Sequence, residues 1–368
     1  PEITLSESIS FTDTISKSTT KLLSETLSFT VDGAGTKDTR DITLTETISF
    51  TDSITKSTTK LLSESISLTD SISKLVPISL SETLVLSHGG GLAIDAETDG
   101  VNGFTVLDGA GDADIFTIDG STYAIVAANT DDGVQIIDVS DPTNIVAKDA
   151  ETDDNNGFTV LNGIAGVDTF VIGTKTYAIV ASIWDAGVQI IDVSDPTNIV
   201  AKDAETDDNN GFTELEGAVD VETFTIDSST YAIVAARIDN GVQIIDISDP
   251  TNIVAKDAET DGGTFTALEQ ARDIGIFTIG SSTYAIISSS DGVQVIDVSN
   301  PNNIVAVDAE TDGENGFTEL NGGTGVDMFT IGSSTYAIAV SYADSGVQII
   351  DVSNPANIVA VDAETDGE

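Results

Sequence analysis

The sequence contains no cysteine, one histidine (His88), one tryptophan, one methionine and only 13 Lys+Arg in 368 residues. Without cysteine there are no disulfides, thiolate metal sites or cysteine nucleophiles, and the redox compartment is left open. A single histidine excludes a His-ligated zinc site and a Ser-His-Asp triad. Set against 62 Asp+Glu, the scarcity of basic residues gives a net charge of −49. That excludes unassisted binding to nucleic acid or an anionic membrane, because both need Lys/Arg to displace counterions. No run reaches about 18 apolar residues, so direct membrane insertion is not expected. The chain starts at Pro1 with no signal-like apolar stretch and stops inside a repeated motif. A processed product or a segment of a longer polypeptide is therefore expected.

Two compositions share the chain. Residues 1–90 hold 12 acids and 7 bases, and 36 of them are Ser or Thr. The stretch ITLSESISFTDTISKSTTKLLSETLSFT from Ile3 returns as ITLTETISFTDSITKSTTKLLSESISLT from Ile42, and a shorter start appears at Ile78. Ile3, Leu5, Glu7, Ile9, Phe11, Asp13 and Ile15 alternate with hydroxyl residues. A period of two places one mostly apolar face and one hydroxyl face on a strand. Residues 1–88 are expected to form a β stalk or spacer; a disordered, O-glycosylated linker is the competing reading. The glycines at 89–91 read as a hinge, and His88 as an incidental residue beside it.

From residue 92 to 368 the sequence is periodic. DAETD begins at Asp95, Asp149, Asp203, Asp257, Asp308 and Asp362, and TYAI and GVQIIDVSDP recur in step. Each unit of about 54 residues holds four strand-like runs separated by Gly-, Asp- and Pro-containing turns, and none shows helical periodicity. Four antiparallel strands per unit predict an all-β, β-propeller architecture of five complete repeats plus partial flanking strands, the leading one at about 92–97. Two Phe and one Tyr per unit (Phe158, Phe170 and Tyr177 in the second) are expected between the sheets, together with Trp184.

The segment GVQIIDVSDPTNIV at Gly133, Gly187 and Gly241 resembles the LVIVD-repeat family of β-propellers from bacterial and archaeal surface and secreted proteins. Here Ile145 and Ile199 stand where that family usually has a second Pro, and the units are longer. The Ser/Thr-rich prefix is similar to spacer repeats of archaeal surface proteins. The resemblance implies a propeller at a cell envelope and no particular chemistry.

The acid-rich loop, TDDNNGFT at Thr152 and Thr206 with variants in the other units, places Asp and Asn oxygens ahead of a Gly, as fragments of calcium loops do. The metal candidates are Asp99 and Asn102; Asp153, Asp154 and Asn156; Asp207, Asp208 and Asn210; and Asp312 and Asn315, with Ca2+ the possible cofactor. No copy has the full calcium-loop spacing, and turn formation competes as the role of these residues. Asp138, Asp141 and their copies are expected to accept backbone N–H bonds, because chemistry needs one asymmetric constellation rather than one per unit. Irregular positions where a ligand could sit are Trp184, Arg237, Arg272 and Tyr342.

These features together predict an extracellular, cell-surface structural scaffold without enzymatic activity. The expected partners are further copies, giving a homo-oligomer, filament or surface layer by strand pairing, or other envelope components. Two alternatives stand beside this: an adhesion module recognising a glycan or protein, and a carboxylate-based glycan-active enzyme. The enzyme requires one acid of raised pKa without counterparts in other units.

Overall fold

The computed structural model describes residues 3–15, 42–54 and 95–366, and the chain divides into two units, Pro1–Leu86 and Ser87–Glu368. In the first unit, β1 (Ile3–Ile15) and β2 (Ile42–Ile54) form a parallel pair in which each residue meets its own repeat counterpart, from Ile3 with Ile42 to Ile15 with Ile54. The spacer unit starting at Ile78, the residue His88 and the hinge at 89–91 lie outside the described residues.

The second unit is five antiparallel four-stranded sheets in sequence order. Blade 1 is β3 (Ala110–Ile118), β4 (Ser121–Ala128), β5 (Gly133–Asp138) and β6 (Val146–Thr152). Blade 2 is β7 (Ile164–Ile172), β8 (Lys175–Ser182), β9 (Gly187–Asp192) and β10 (Val200–Thr206). Blade 3 is β11 (Ala218–Ile226), β12 (Ser229–Ala236), β13 (Gly241–Asp246) and β14 (Val254–Thr260). Blade 4 is β15 (Asp273–Ile279), β16 (Ser282–Ser288), β17 (Gly292–Asp297) and β18 (Val305–Thr311). Blade 5 is β19 (Gly323–Ile331), β20 (Ser334–Ser341), β21 (Gly346–Asp351) and β22 (Val359–Thr365). No helix occurs among the described residues.

The reason for this order lies in the strand sequences. TYAIVAA in β4 is a continuous apolar run because both faces of the sheet are covered. Ile125 and Ala127 face blade 2, while Ala124 and Val126 face the opposite way. Asp119 (φ 50) and Gly120 (φ 83) form the two-residue turn between β3 and β4, with the paired positive φ values that match strand twist. Between each pair of neighbouring blades, one face gives Phe, Ile, Ala and Val from its first three strands. The next blade answers with a Phe and Leu from its entry loop and Ile and Val from its strands. Each fully buried Ile or Phe contributes roughly 1.5–3 kcal/mol, so the four interfaces, rather than any single sheet, hold the array together.

Phe116 and Tyr123 stack at 5.6 Å, and every blade repeats the pair. Trp184 departs from its expected place among the blades and is corrected to a surface position, 64% exposed. It sits in the β8–β9 turn and covers Gly163, which at φ 67 and without a Cβ leaves room for the indole. The leading segment Asp95–Thr98 is not paired as a strand. Its placement nevertheless follows the repeat, since Asp95 bonds the Ile145 N–H.

Candidate functional site

Acids join the blades at two levels. At the outer level, the register of β5 against β6 slips between Ile136 and Ile137, leaving Lys148 as a bulge. The bulge turns Asp149 toward the next blade, where its Oδ2 accepts the Ile199 N–H at 2.8 Å. Asp203 does the same for Ile253 (2.7 Å), Asp257 for Ile304 (2.7 Å) and Asp308 for Ile358 (2.8 Å). Asp95 accepts the Ile145 N–H at 2.6 Å and so occupies the place of a preceding blade's outer strand. The bulge lysine turns back to the GVQIID acid: Lys148 to Asp138 at 3.0 Å, Lys202 to Asp192 at 3.4 Å, Lys256 to Asp246 at 3.1 Å. Burial opposes ionisation of Asp192, but bonds from Lys175 and Ser194 outweigh it and bring the group to about 2.

At the inner level, β3, β7, β11, β15 and β19 lie side by side in sequence order. Asp112 accepts the Val167 N–H (2.8 Å), and Asp114 accepts the N–H (2.9 Å) and hydroxyl (2.5 Å) of Thr169. Asp168 accepts the Thr223 N–H (2.7 Å), Asp220 that of Ile274 (2.9 Å) and Asp273 that of Val326 (2.5 Å). These carboxylates replace the ladder that splayed inner strands cannot make, and they satisfy N–H groups that would otherwise be orphaned.

Burial, and after it the crowding of neighbouring acids, raises the pKa values of several of these groups. Burial, countered in part by the Thr223 bonds, pushes Asp168 up to about 6. Asp220 lies well above the ordinary carboxyl range, through burial and then the neighbouring Asp273. Glu222 is pushed up to about 8 by burial and then by Asp168, Asp273, Asp114 and Asp112. It is a neutral acid at pH 7, and the corresponding positions hold Asp114, Asp168, Gly275 and Asp327.

The loop residues singled out as metal candidates fall into repeated hydrogen-bonding roles. The Oδ1 atoms of Asp99, Asp153, Asp207 and Asp312 accept the N–H of Leu107, Leu161, Leu215 and Leu320 at 3.0–3.2 Å. Asn102, Asn156, Asn210 and Asn315 are left-handed (φ 48 to 53) and donate Nδ2 to Glu97, Glu151, Glu205 and Glu310. Asp154 and Asp208 are left-handed at φ 57. Asp261 keeps the same carboxylate bond, to Leu268, in the shorter fourth loop. Among the described residues no three His, Asp or Glu side chains are grouped to hold a metal ion.

Asp138 and Asp141 accept the Ser140 and Thr143 N–H groups, the turn role expected of them. Of the irregular positions, Tyr342 is 83% exposed. Trp184, Tyr342 and the arginines lie on separate turns or strand entries and are not joined by any described bond. Arg272 donates at 3.4 Å to Gln270 while its buried Nε lacks a partner. Two features went unread in the sequence. One is the buried Gln of GVQI: Gln135 accepts the Thr105 N–H and donates to the Asp149 carbonyl. A polar residue inside an apolar strand, copied five times, was its signal. The other is the entry-loop pair Glu214 and Glu319, which replace Val106, Val160 and Ala267 and each bury an unpartnered Oε2. Burial first, then Asp239, Asp207 and Glu259, pushes Glu214 up to about 7.

Comparisons bear on the fold. The LVIVD repeat family model matches residues 110–150, 174–204, 228–258 and 336–363. A functionally unknown protein from Desulfotomaculum acetoxidans superposes with a TM-score of 0.50 at 14% identity, over 70% of each chain. The periplasmic gluconolactonase of Pseudomonas aeruginosa gives 0.52 at 10% identity, over 71% of each. An exo-β-1,3-galactanase from Phanerochaete chrysosporium gives 0.44 at 12% identity, over 73% of this chain and 65% of its own. The first two likenesses are of fold. No curated protein matches the chain.

Proposed function

The chain carries LVIVD repeats in four of its five propeller blades, and from that premise we propose that it is a structural scaffold of a cell surface that holds and joins envelope components. The observation that carries this reading is the use of the acids. From blade to blade, the same outer carboxylate, Asp149, Asp203, Asp257 or Asp308, accepts a backbone N–H of the neighbouring blade. Groups engaged in joining sheets are copied because the joint is copied, whereas a catalytic constellation is built once. The Ser/Thr-rich prefix and the net charge of −49 support exposure to an aqueous, ion-containing exterior. Electron microscopy of purified chain, with antibody labelling of intact producing cells, tests the reading. Surface label with ordered fibres or sheets is expected; isolated particles confined to the cell interior would reject it.

One observation favours a carboxylate-based glycan-active enzyme as a second reading. Glu222 is the one glutamate at a position that is Asp or Gly in the other blades, pushed up to about 8 beside the buried Asp220 and Asp273, so carboxyls of separated pKa lie within one cluster. Hydrolysis of a glycan panel that is lost in Glu222→Gln would establish it. Equal turnover by both proteins, or none by either, would remove it.

A further inference from the structure

Blades 1 to 3 are near copies, and over most of their length their differences gather at one turn. From Tyr123 to Asp153 and through the two matching stretches, the sequences outside the turn between second and third strands differ at two places. These are Ala128, Ser182 and Ala236, and then Val139, Val193 and Ile247. The turn itself reads Asn129-Thr130-Asp131-Asp132, Ile183-Trp184-Asp185-Ala186 and Arg237-Ile238-Asp239-Asn240. Its third residue is Asp each time, because that carboxylate accepts an entry-loop N–H, from Asp108, Asn162 or Glu216. The second residue lies over a left-handed glycine of the same entry loop: Thr130 over Gly109, Trp184 over Gly163, Ile238 over Gly217. The seat is constant and its occupant is not.

Trp184 is the occupant that points to a ligand. It is the one tryptophan of the sequence and is 64% exposed. An indole left in water forgoes the burial that a ring of its size ordinarily gains. The turn does not require it, since Ala343 takes the same seat over Gly322 in blade 5. Acids stand beside the ring. Burial, countered in part by the Asn162 bonds, and then Asp153 and Asp154 raise the adjacent Asp185 above its ordinary value. Among the described residues the lysine ion pairs engage the outer acids Asp138, Asp192 and Asp246, and none reaches Asp153, Asp154 or Asp185. The face of an aromatic ring attracts a cation, and unpaired carboxylates next to it add to that attraction. Blade 3 separates the two features: Asp207, Asp208 and Asp239 crowd together in the same way, but Ile238 holds the seat with Arg237 next to it.

We propose that Trp184, with the carboxylates of Asp153, Asp154 and Asp185, forms a binding site for an organic cation, an alkylammonium or guanidinium group. The cation lies against the indole, its alkyl stem covers apolar ring surface, and its N–H groups donate to the acids. Two sources carry this chemistry, a Lys or Arg side chain of a basic peptide and a free polyamine, and the test separates them. The inference goes beyond the scaffold reading and fails separately from it, since it concerns one ring and a small ligand rather than fibres or cellular location.

The test uses the full chain at fixed ionic strength with two probes, a blocked trilysine peptide and spermine, and a blocked triserine peptide as neutral control. Because Trp184 is the sole tryptophan, its fluorescence reports the site directly. A saturable change is expected with the cationic probes and none with the neutral one. In calorimetry, Trp184→Ala should weaken binding by at least about tenfold. Should that variant fail to fold, Trp184→Thr, which imitates Thr130 of blade 1, takes its place. Asp154→Asn, at a left-handed position that Asn also adopts, should weaken binding by about threefold, and its blade 3 counterpart Asp208→Asn should leave it unchanged. Binding indifferent to loss of the ring, or weakened equally by Asp154→Asn and Asp208→Asn, is diffuse attraction to a chain of net charge −49 and overturns the inference. So does the absence of binding by both cationic probes, or equal binding of the neutral peptide. With the inference upheld, tighter binding of the peptide identifies a basic polypeptide as the source, and tighter binding of spermine a free polyamine.

Discussion

Blades 3 and 5 are near copies in sequence and differ in what surrounds them. TYAIVAA of β12 and TYAIAVS of β20 make the same strand in the same register. Yet Ala235 is at 0% exposure and its counterpart Val340 at 37%. Among the described residues, blade 3 has a neighbour on each side and blade 5 has one. Strand formation here follows from the local pattern, whereas burial, and with it most of the stabilising free energy, is a property of nearest neighbours.

The largest expected effect comes from placing the same substitution at matched inner and end positions. Val221→Asp puts an unpaired carboxylate into the interface between blades 2 and 3 and should cost about 3–5 kcal/mol. Ala113→Asp, at the equivalent position on the open face, should stay within about 0.5 kcal/mol. Urea unfolding of both variants decides it, and equal losses would break the comparison. Next, Asp203→Ala removes the acceptor of the Ile253 N–H and should cost about 1–3 kcal/mol. Asp362→Ala, whose carboxylate among the described residues bonds just the adjacent Ala363 N–H, should be nearly neutral. The inner acids give a smaller, pH-dependent signal. Glu222 is raised from 4.5 to about 8 and Asp168 from 3.8 to about 6, so between these values the folded chain binds more protons than the unfolded one. Their contribution is fully present below the unfolded pKa and is lost as pH rises through the folded one. Melting temperature at fixed ionic strength should rise by about 2–5 °C from pH 8.5 to pH 5.5, and Glu222→Gln should flatten that rise. Smallest is the bulge ion pair: Lys256→Val, which imitates Val307 and Val361 of blades 4 and 5, should change stability by less than about 1 kcal/mol in thermal unfolding.

The strands and turns of the array were legible in the sequence because period-two alternation, double-faced apolar runs and Gly- or Asp-bearing turns are local signals. The role of Asp138 and Asp141 was legible for the same reason, since each bonds within two residues of itself. The inner acids were not. Asp112, Asp168 and Asp220 look like scattered charges at strand starts, and their partners lie 54 or 55 residues away in the next blade. Trp184 was misread because an aromatic residue in an apolar array is usually core, and nothing local reveals that Gly163 carries its ring on the surface. The candidate calcium loop was legible as a turn, while the pairing of its Asn with a Glu five residues earlier emerges only once the loop is folded.

The sequence by itself determined the unit: four strands, their turns, the spacing of the repeats and a strongly acidic surface, since each depends on residues a few positions apart. The tertiary structure decided which carboxylates join blades, which of them are desolvated, and how deeply each sheet face is buried. Desolvation and charge proximity depend on what packs alongside, and in a repeat array the neighbour is a whole repeat away.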